Sequence, residues 1–169
     1  MQLQRSQIPG ISRSIVKALL DAEDIEVDSR REVEKDLESV LNSYVQQLDQ
    51  VLQRARVLVQ ERGLPTGEFG RIKRLCADQA GIKIDDDGLD HVLEQLLSML
   101  MNSNHVEEVY AEDNQLRRRM RPFFKTSQSS EERIDREVRA KLKHVQEGSR
   151  VWEIEYERMK SQIKNRQGS

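Results

Sequence analysis

The sequence predicts an all-α protein of about seven helices in two related helical modules, with one long helix over about 29–62 as the spine. Three observations carry that prediction. Charged residues make up 34% of the 169 and aromatics only 4%, a balance that suits helices and starves a β-sandwich of strand formers. Leu, Ile and Val recur at steps of three and four, the period of one helix face, which also argues against disorder. Gly, Pro, Ser and Asp fall where those stretches begin and end.

A polar leader occupies 1–10. Ser12 or Ser14 is then placed to cap a first helix of about 12–23 with Ile15, Val16, Leu19 and Leu20 on one face. The link Asp24-Ile25-Glu26-Val27-Asp28 follows, and Asp28 or Ser29 caps the long helix. Gly63 and Pro65 stop it near Arg62. Its apolar seam is Val33, Leu37, Val40, Tyr44, Leu48, Val51, Ala55 and Leu58, with one stutter between Tyr44 and Leu48. Such a seam either forms the spine of the chain's own bundle or binds a second copy or a partner helix.

Thr66 caps a third helix carrying Phe69, Ile72 and Cys76, which ends at Gly81. Asp87 caps a fourth, in which Leu89, Val92, Leu93, Leu96, Leu97, Leu100 and Met101 cover more than half the circumference of a buried helix. After the polar break Asn102–His105, a fifth helix starts near Glu112 or Asp113 and is stopped or kinked at Pro122. A linker is expected over about 126–130. Ser129 and Glu132 have capping-box spacing for a sixth helix to about Glu147, and a seventh spans about Val151 to Arg166.

The chain also echoes itself. Glu68-Phe69-Gly70-Arg71-Ile72-Lys73 matches Glu155-Tyr156-Glu157-Arg158-Met159-Lys160, and at the same offset Cys76 falls on Ile163 and Gly81 on Gly168. With one gap, Asp49 matches Asp135, and Val59-Gln60-Glu61 matches Val145-Gln146-Glu147. Ile25-Glu26-Val27 resembles Val106-Glu107-Glu108-Val109. Two copies of a helical module are expected, over 11–81 and 82–168.

These residues carry a family resemblance. Ser12-x-x-Ile15-Val16, Ile25-Glu26-Val27 and the Glu-aromatic-x-x-Ile/Met-Lys helix resemble the bacterial domain of unknown function family 507. His105 through Asp113 is similar to a segment of that family's longer, two-copy members. The resemblance covers most of the chain and implies a small, mostly helical, cytoplasmic bacterial protein. It implies no activity and no functional residues.

Composition narrows the function classes. A net charge of −2 gives no global field toward nucleic acid or membrane. The single Cys76 excludes an intramolecular disulfide and fits a reducing compartment. The polar N-terminus shows no signal peptide, and the stretch Leu89–Met101 is too short and too polar to span a bilayer. A cytoplasmic location is expected.

Few motifs carry chemistry. Lys83-Ile84-Asp85-Asp86-Asp87-Gly88 with Glu94 has an EF-hand echo, but Lys83 stands at the first ligand position, so helix capping is the simpler account. His91, His105 and His144 lack zinc spacing, and His105 beside Glu107, Glu108, Glu112 and Asp113 reads as an acidic connector. No phosphate loop or nucleophile elbow is present in the sequence. No catalytic residue, metal or cofactor is expected.

The strongest candidate is basic. Arg117, Arg118, Arg121 and Lys125 form a stripe on one arc of a helix, with Arg119 nearby and Phe123 and Phe124 on the adjoining arc. That stripe could grip phosphates, with the phenylalanines stacking on bases, or dock on an acidic protein surface. The competing account has the acidic run before it neutralising the charge and the phenylalanines anchoring the helix. The preferred expectation is a non-catalytic protein–protein interaction or assembly module, self-association included. RNA or DNA binding, or ribosome association, is the alternative.

Overall fold

The computed structural model describes residues 2–142, 145 and 149–167, with side chains for all of these except 125–133, 136, 166 and 167. Among the described residues six α-helices and two short strands carry the chain, and the all-α class holds. The elements are α1 (Ile8–Asp21), β1 (Ile25–Val27), α2 (Arg30–Glu61), α3 (Phe69–Ala80), α4 (Gly88–Asn102), β2 (Val106–Val109), α5 (Asp113–Lys141) and α6 (Arg150–Gln167).

Helix α1 begins earlier than Ser12 or Ser14 would place it. Pro9 occupies its first turn, where a missing N–H removes no hydrogen bond, and Ser12 is buried inside the helix. Three helices end in the same way. Asp24 N bonds Leu19 O, Leu64 N bonds Val59 O and Ile82 N bonds Ala77 O, each beyond a left-handed residue: Glu23, Gly63 and Gly81. Glycine adopts that backbone freely; Glu23, at φ 58°, does so under strain. The Ser29 hydroxyl caps α2 by accepting the Glu32 N–H.

The link after α1 holds a strand, and the break Asn102–His105 leads through a turn into a second strand. Ile25 and Val27 alternate with Glu26, and β1 pairs antiparallel with β2 in the register Ile25–Val109, Glu26–Glu108 and Val27–Val106, with a bulge between Glu26 and Val27. At the ends of the ladder Tyr110 N bonds Asp24 O at 2.8 Å and Asp28 N bonds His105 O at 3.0 Å.

The linker expected over 126–130 is helical backbone, so the predicted fifth and sixth helices are one, α5. Pro122 does not stop it. Leu116, Met120 and Phe124, on both sides of the proline, are all fully buried, and their anchoring holds the helix through the lost backbone bond.

Two compact units form, Leu3–Lys125 and Thr126–Ser169. The division falls at 125/126 rather than at 81/82, because α4 and the start of α5 bury their apolar faces in the same core as α1 and α2. That core holds Ile8, Ile15, Leu19, Val33, Leu37, Leu41, Leu93, Leu96, Leu116 and Phe124 among others. A second cluster in this unit, Val51, Ala55, Ile72, Cys76, Ala77, Ile82 and Ile84, joins the later part of α2 to α3. Leu48 touches both clusters, so the stutter in the seam lies where α2 passes from one core to the next.

In the other unit Ile134, Val138, Leu142 and Ile163 form the core. Trp152 stacks on Tyr156 at 5.0 Å, and the Arg139 guanidinium lies over the Trp152 ring at 5.6 Å. Tyr156 hydrogen-bonds Asp135; burial first and that carboxylate second push the phenol up to about 12.

The order helix–strand–helix–helix thus occurs twice, and buried positions correspond. Ile8, Ile11, Ser12, Ile15, Val16 and Leu19 of α1 stand 81 residues before Leu89, Val92, Leu93, Leu96, Leu97 and Leu100 of α4, all buried. Val33, Leu37 and Leu41 of α2 stand 83 before Leu116, Met120 and Phe124 of α5. Val51 and Ala55 stand 83 before Ile134 and Val138. Phe69, Ile72 and Cys76 stand 87 before Tyr156, Met159 and Ile163. Along the long helices this spacing replaces the match of Asp49 with Asp135.

Candidate functional site

The helix seam is consumed inside the molecule. Val33, Leu37, Tyr44, Val51 and Ala55 are buried, and Val40, Leu48 and Leu58 are half-buried against the two clusters of the first unit. Leu41 and Val45, outside the predicted seam, are buried as well, because α2 is covered on a wider arc than a two-stranded coil would need. The seam is therefore a spine and not a surface for a partner helix.

The basic stripe lies along a groove of about 590 Å³ between α4 and α5, lined by Asp90, Glu94, Asn114, Arg117, Arg118 and Arg121. Its charges are answered from α4: Arg117 pairs with Glu94, and Arg121 pairs with Asp90 at 2.6 Å. Arg119 pairs with the buried Asp24 at 2.5 Å. Arg118 is exposed and makes no ion pair among the described residues, while the side chain of Lys125 lies outside them. Phe124 is fully buried and Phe123 is half-buried against the same core. Phe124 offers no free face for a base, and Phe123 is partly covered by the core it packs on.

The other candidates are structural. Asp85–Asp87 form a 3-10 turn ahead of α4, and Asp85 accepts from Lys73 at 3.1 Å. Tyr44 donates to Lys83 O at 3.0 Å beneath that turn. Burial, helped by the Asp85 charge, pushes this phenol up to about 12. His91 lies 5.9 Å from the Tyr44 ring and bonds Gln95 at 3.1 Å. Burial first and the Lys83 charge second hold its pKa below the ordinary value. His105 Nδ1 bonds Asp28 at 3.0 Å, and the Ser103 hydroxyl donates to Asp36 at 2.7 Å. Among the described residues no three of His, Cys, Asp or Glu converge as a metal site requires. His144 lies outside the described residues.

Fold and surface define an all-α protein in which the α4 and α5 faces pair their charges. Among the described residues no helix is long and apolar enough to cross a membrane. The family model described as "Protein of unknown function (DUF507)" matches residues 1–169, and the chain belongs to that family. No curated protein matches it.

Proposed function

We propose that this chain is a non-catalytic protein–protein interaction module built from two copies of one helix–strand–helix–helix unit. The observation that carries the reading is where apolar surface remains. Of six large apolar side chains exposed among the described residues, four lie toward the ends of the two copies: Val57 on α2, Leu75 on α3, and Val151 and Ile154 on α6. Apolar groups left in water on helices whose opposite faces are already buried fit contact with another protein. The coincidence of buried positions at 81, 83 and 87 residues supports the two-copy form.

Nucleic-acid binding through Arg117, Arg118, Arg121 and Lys125 is the weaker reading. A polyanion would have to displace Glu94 and Asp90 from their arginines and would meet their charge across the groove.

The test is photo-crosslinking from single positions of the full chain in its native host. A photoreactive side chain at Leu75 or Ile154 is expected to give discrete protein adducts that the exposed polar position Ser43 does not give. Adducts indistinguishable from those at Ser43 would contradict the proposal.

A further inference from the structure

The two copies differ most in charge. All the positions concerned lie within Leu3–Lys125. Arg13 on α1 stands where Glu94 stands on α4, 81 residues on; both are exposed. Glu34 and Glu38 on α2 stand where Arg117 and Arg121 stand on α5, 83 residues on; all four are half-buried. These three equivalent positions carry reversed sign on backbones set by the same buried pattern, and so do Arg30 with Asp113 and Asp36 with Arg119. Lys35 and Arg118 are the exception, both cationic; Lys35 is held by Glu32 at 3.3 Å.

The reversal has a consequence for packing. The α4–α5 face pairs its charges across its own groove. On the α1–α2 face Arg13 and Glu38 make no ion pair among the described residues, and Glu34 is paired along its own helix to Arg30 at 3.1 Å. Set one α1–α2 face on another, ridge against ridge, and like charges meet. Set it antiparallel on an α4–α5 face, keeping α1 over α4 and α2 over α5, and Arg13 meets acid while Glu34 meets Arg121 and Glu38 meets Arg117. The pairs of Arg117 and Arg121 are partly exposed and hold weakly, and the α1–α2 face, unlike a polyanion, brings a cation for the acids of α4 along with acids for the arginines.

We infer that the occupant of the α4–α5 face is the α1–α2 face of a second copy of this chain. This deepens the interaction-module reading and rests on it. Because the two faces differ, the contact does not close: each added copy leaves one face of each kind free, and the assembly grows head to tail.

Sedimentation of the full chain tests the inference. At low salt the mean mass is expected to rise with concentration beyond two chains. Raising the salt from about 20 mM to about 500 mM shortens the screening length severalfold and is expected to weaken association by about tenfold or more. Glu38→Arg alone and Arg117→Glu alone are each expected to leave single chains, with helicity retained by circular dichroism. The double variant Glu38→Arg/Arg117→Glu, which reverses both members of one pair, is expected to restore growth, which a merely structural role for either residue would not do.

A single-chain mass at every concentration, a plateau at two chains, growth indifferent to salt, or a double variant that stays monomeric would each overturn the inference. None of these bears on adducts formed at Leu75 or Ile154 with other proteins, so the broader reading fails or survives separately.

Discussion

Asp24 Oδ2 stands 2.5 Å from Arg119 Nε, joining the turn after α1 to α5 across 95 residues of sequence. The aspartate is buried, and its own carbonyl accepts the N–H groups of Tyr110 and Ala111 at 2.8 and 3.3 Å. One residue thus holds both the end of β2 and the start of α5. The counterpart contact runs from Ser103 to Asp36, which occupies the position equivalent to Arg119.

Removing the guanidinium leaves a buried carboxylate without its partner, so Arg119→Ala is expected to cost about 1–3 kcal/mol. Asp24→Ala in the same background is expected to recover part of the loss. Urea titration of the two single variants and the double variant measures the coupling, which is expected to exceed about 0.5 kcal/mol.

Gly88 has no room for a methyl group. A Cβ there would lie 2.7 Å from the Tyr44 hydroxyl, which is itself held by Lys83 O. Gly88→Ala is expected to destabilise by about 1–3 kcal/mol. Tyr44→Phe removes the clashing oxygen, and the double variant is expected to be more stable than Gly88→Ala alone, as thermal melts would report.

Ser12 has the opposite character. Its hydroxyl is buried without a hydrogen-bond partner, at the position where α4 carries Leu93. Ser12→Ala removes an unpaired polar atom from the core and adds helix propensity. A gain of about 0.5–1.5 kcal/mol in urea unfolding is expected.

Periodicity made most of this fold legible. The seam from Val33 to Leu58, the all-apolar α4, the Ser29 cap and the Gly81 end follow from spacing and cap chemistry that act locally. The strands were only half legible. Ile25-Glu26-Val27 and Val106–Val109 show up as repeated segments, but a three-residue strand is fixed by its partner, and the partner lies about eighty residues away. Pro122 misleads for a related reason: local rules end a helix there, and burial of Met120 and Phe124 overrides them. In the candidate site the arginines were visible and their pairing was not, because Glu94 and Asp90 reach them from another helix. Aligning α2 with α5 at 83 residues would have exposed the reversed charges of Glu34 and Glu38.

Stability is expected to depend on pH at both ends of the range. His91 titrates below its ordinary 6.5 in the fold, so the unfolded chain binds the proton more readily. Its contribution is intact above 6.5 and is lost as the pH falls toward the folded value. Tyr44 is shifted upward, from 10.0 to about 12, so its contribution is intact below 10 and is lost as the pH rises toward 12. Urea midpoints measured across pH are expected to lose part of their acid slope in His91→Phe and part of their alkaline slope in Tyr44→Phe.

Helix α4 shares one core with α1 and α2 instead of opening a separately folded module at 82. Native-state hydrogen exchange tests it directly. Amides of Ile15 and Leu19 in α1, Leu37 and Leu41 in α2, and Leu93 and Leu96 in α4 all serve the same cluster, and they are expected to open with one common free energy. If the α4 amides instead exchange as a separate, less protected set, with the break at 81/82, the account is wrong.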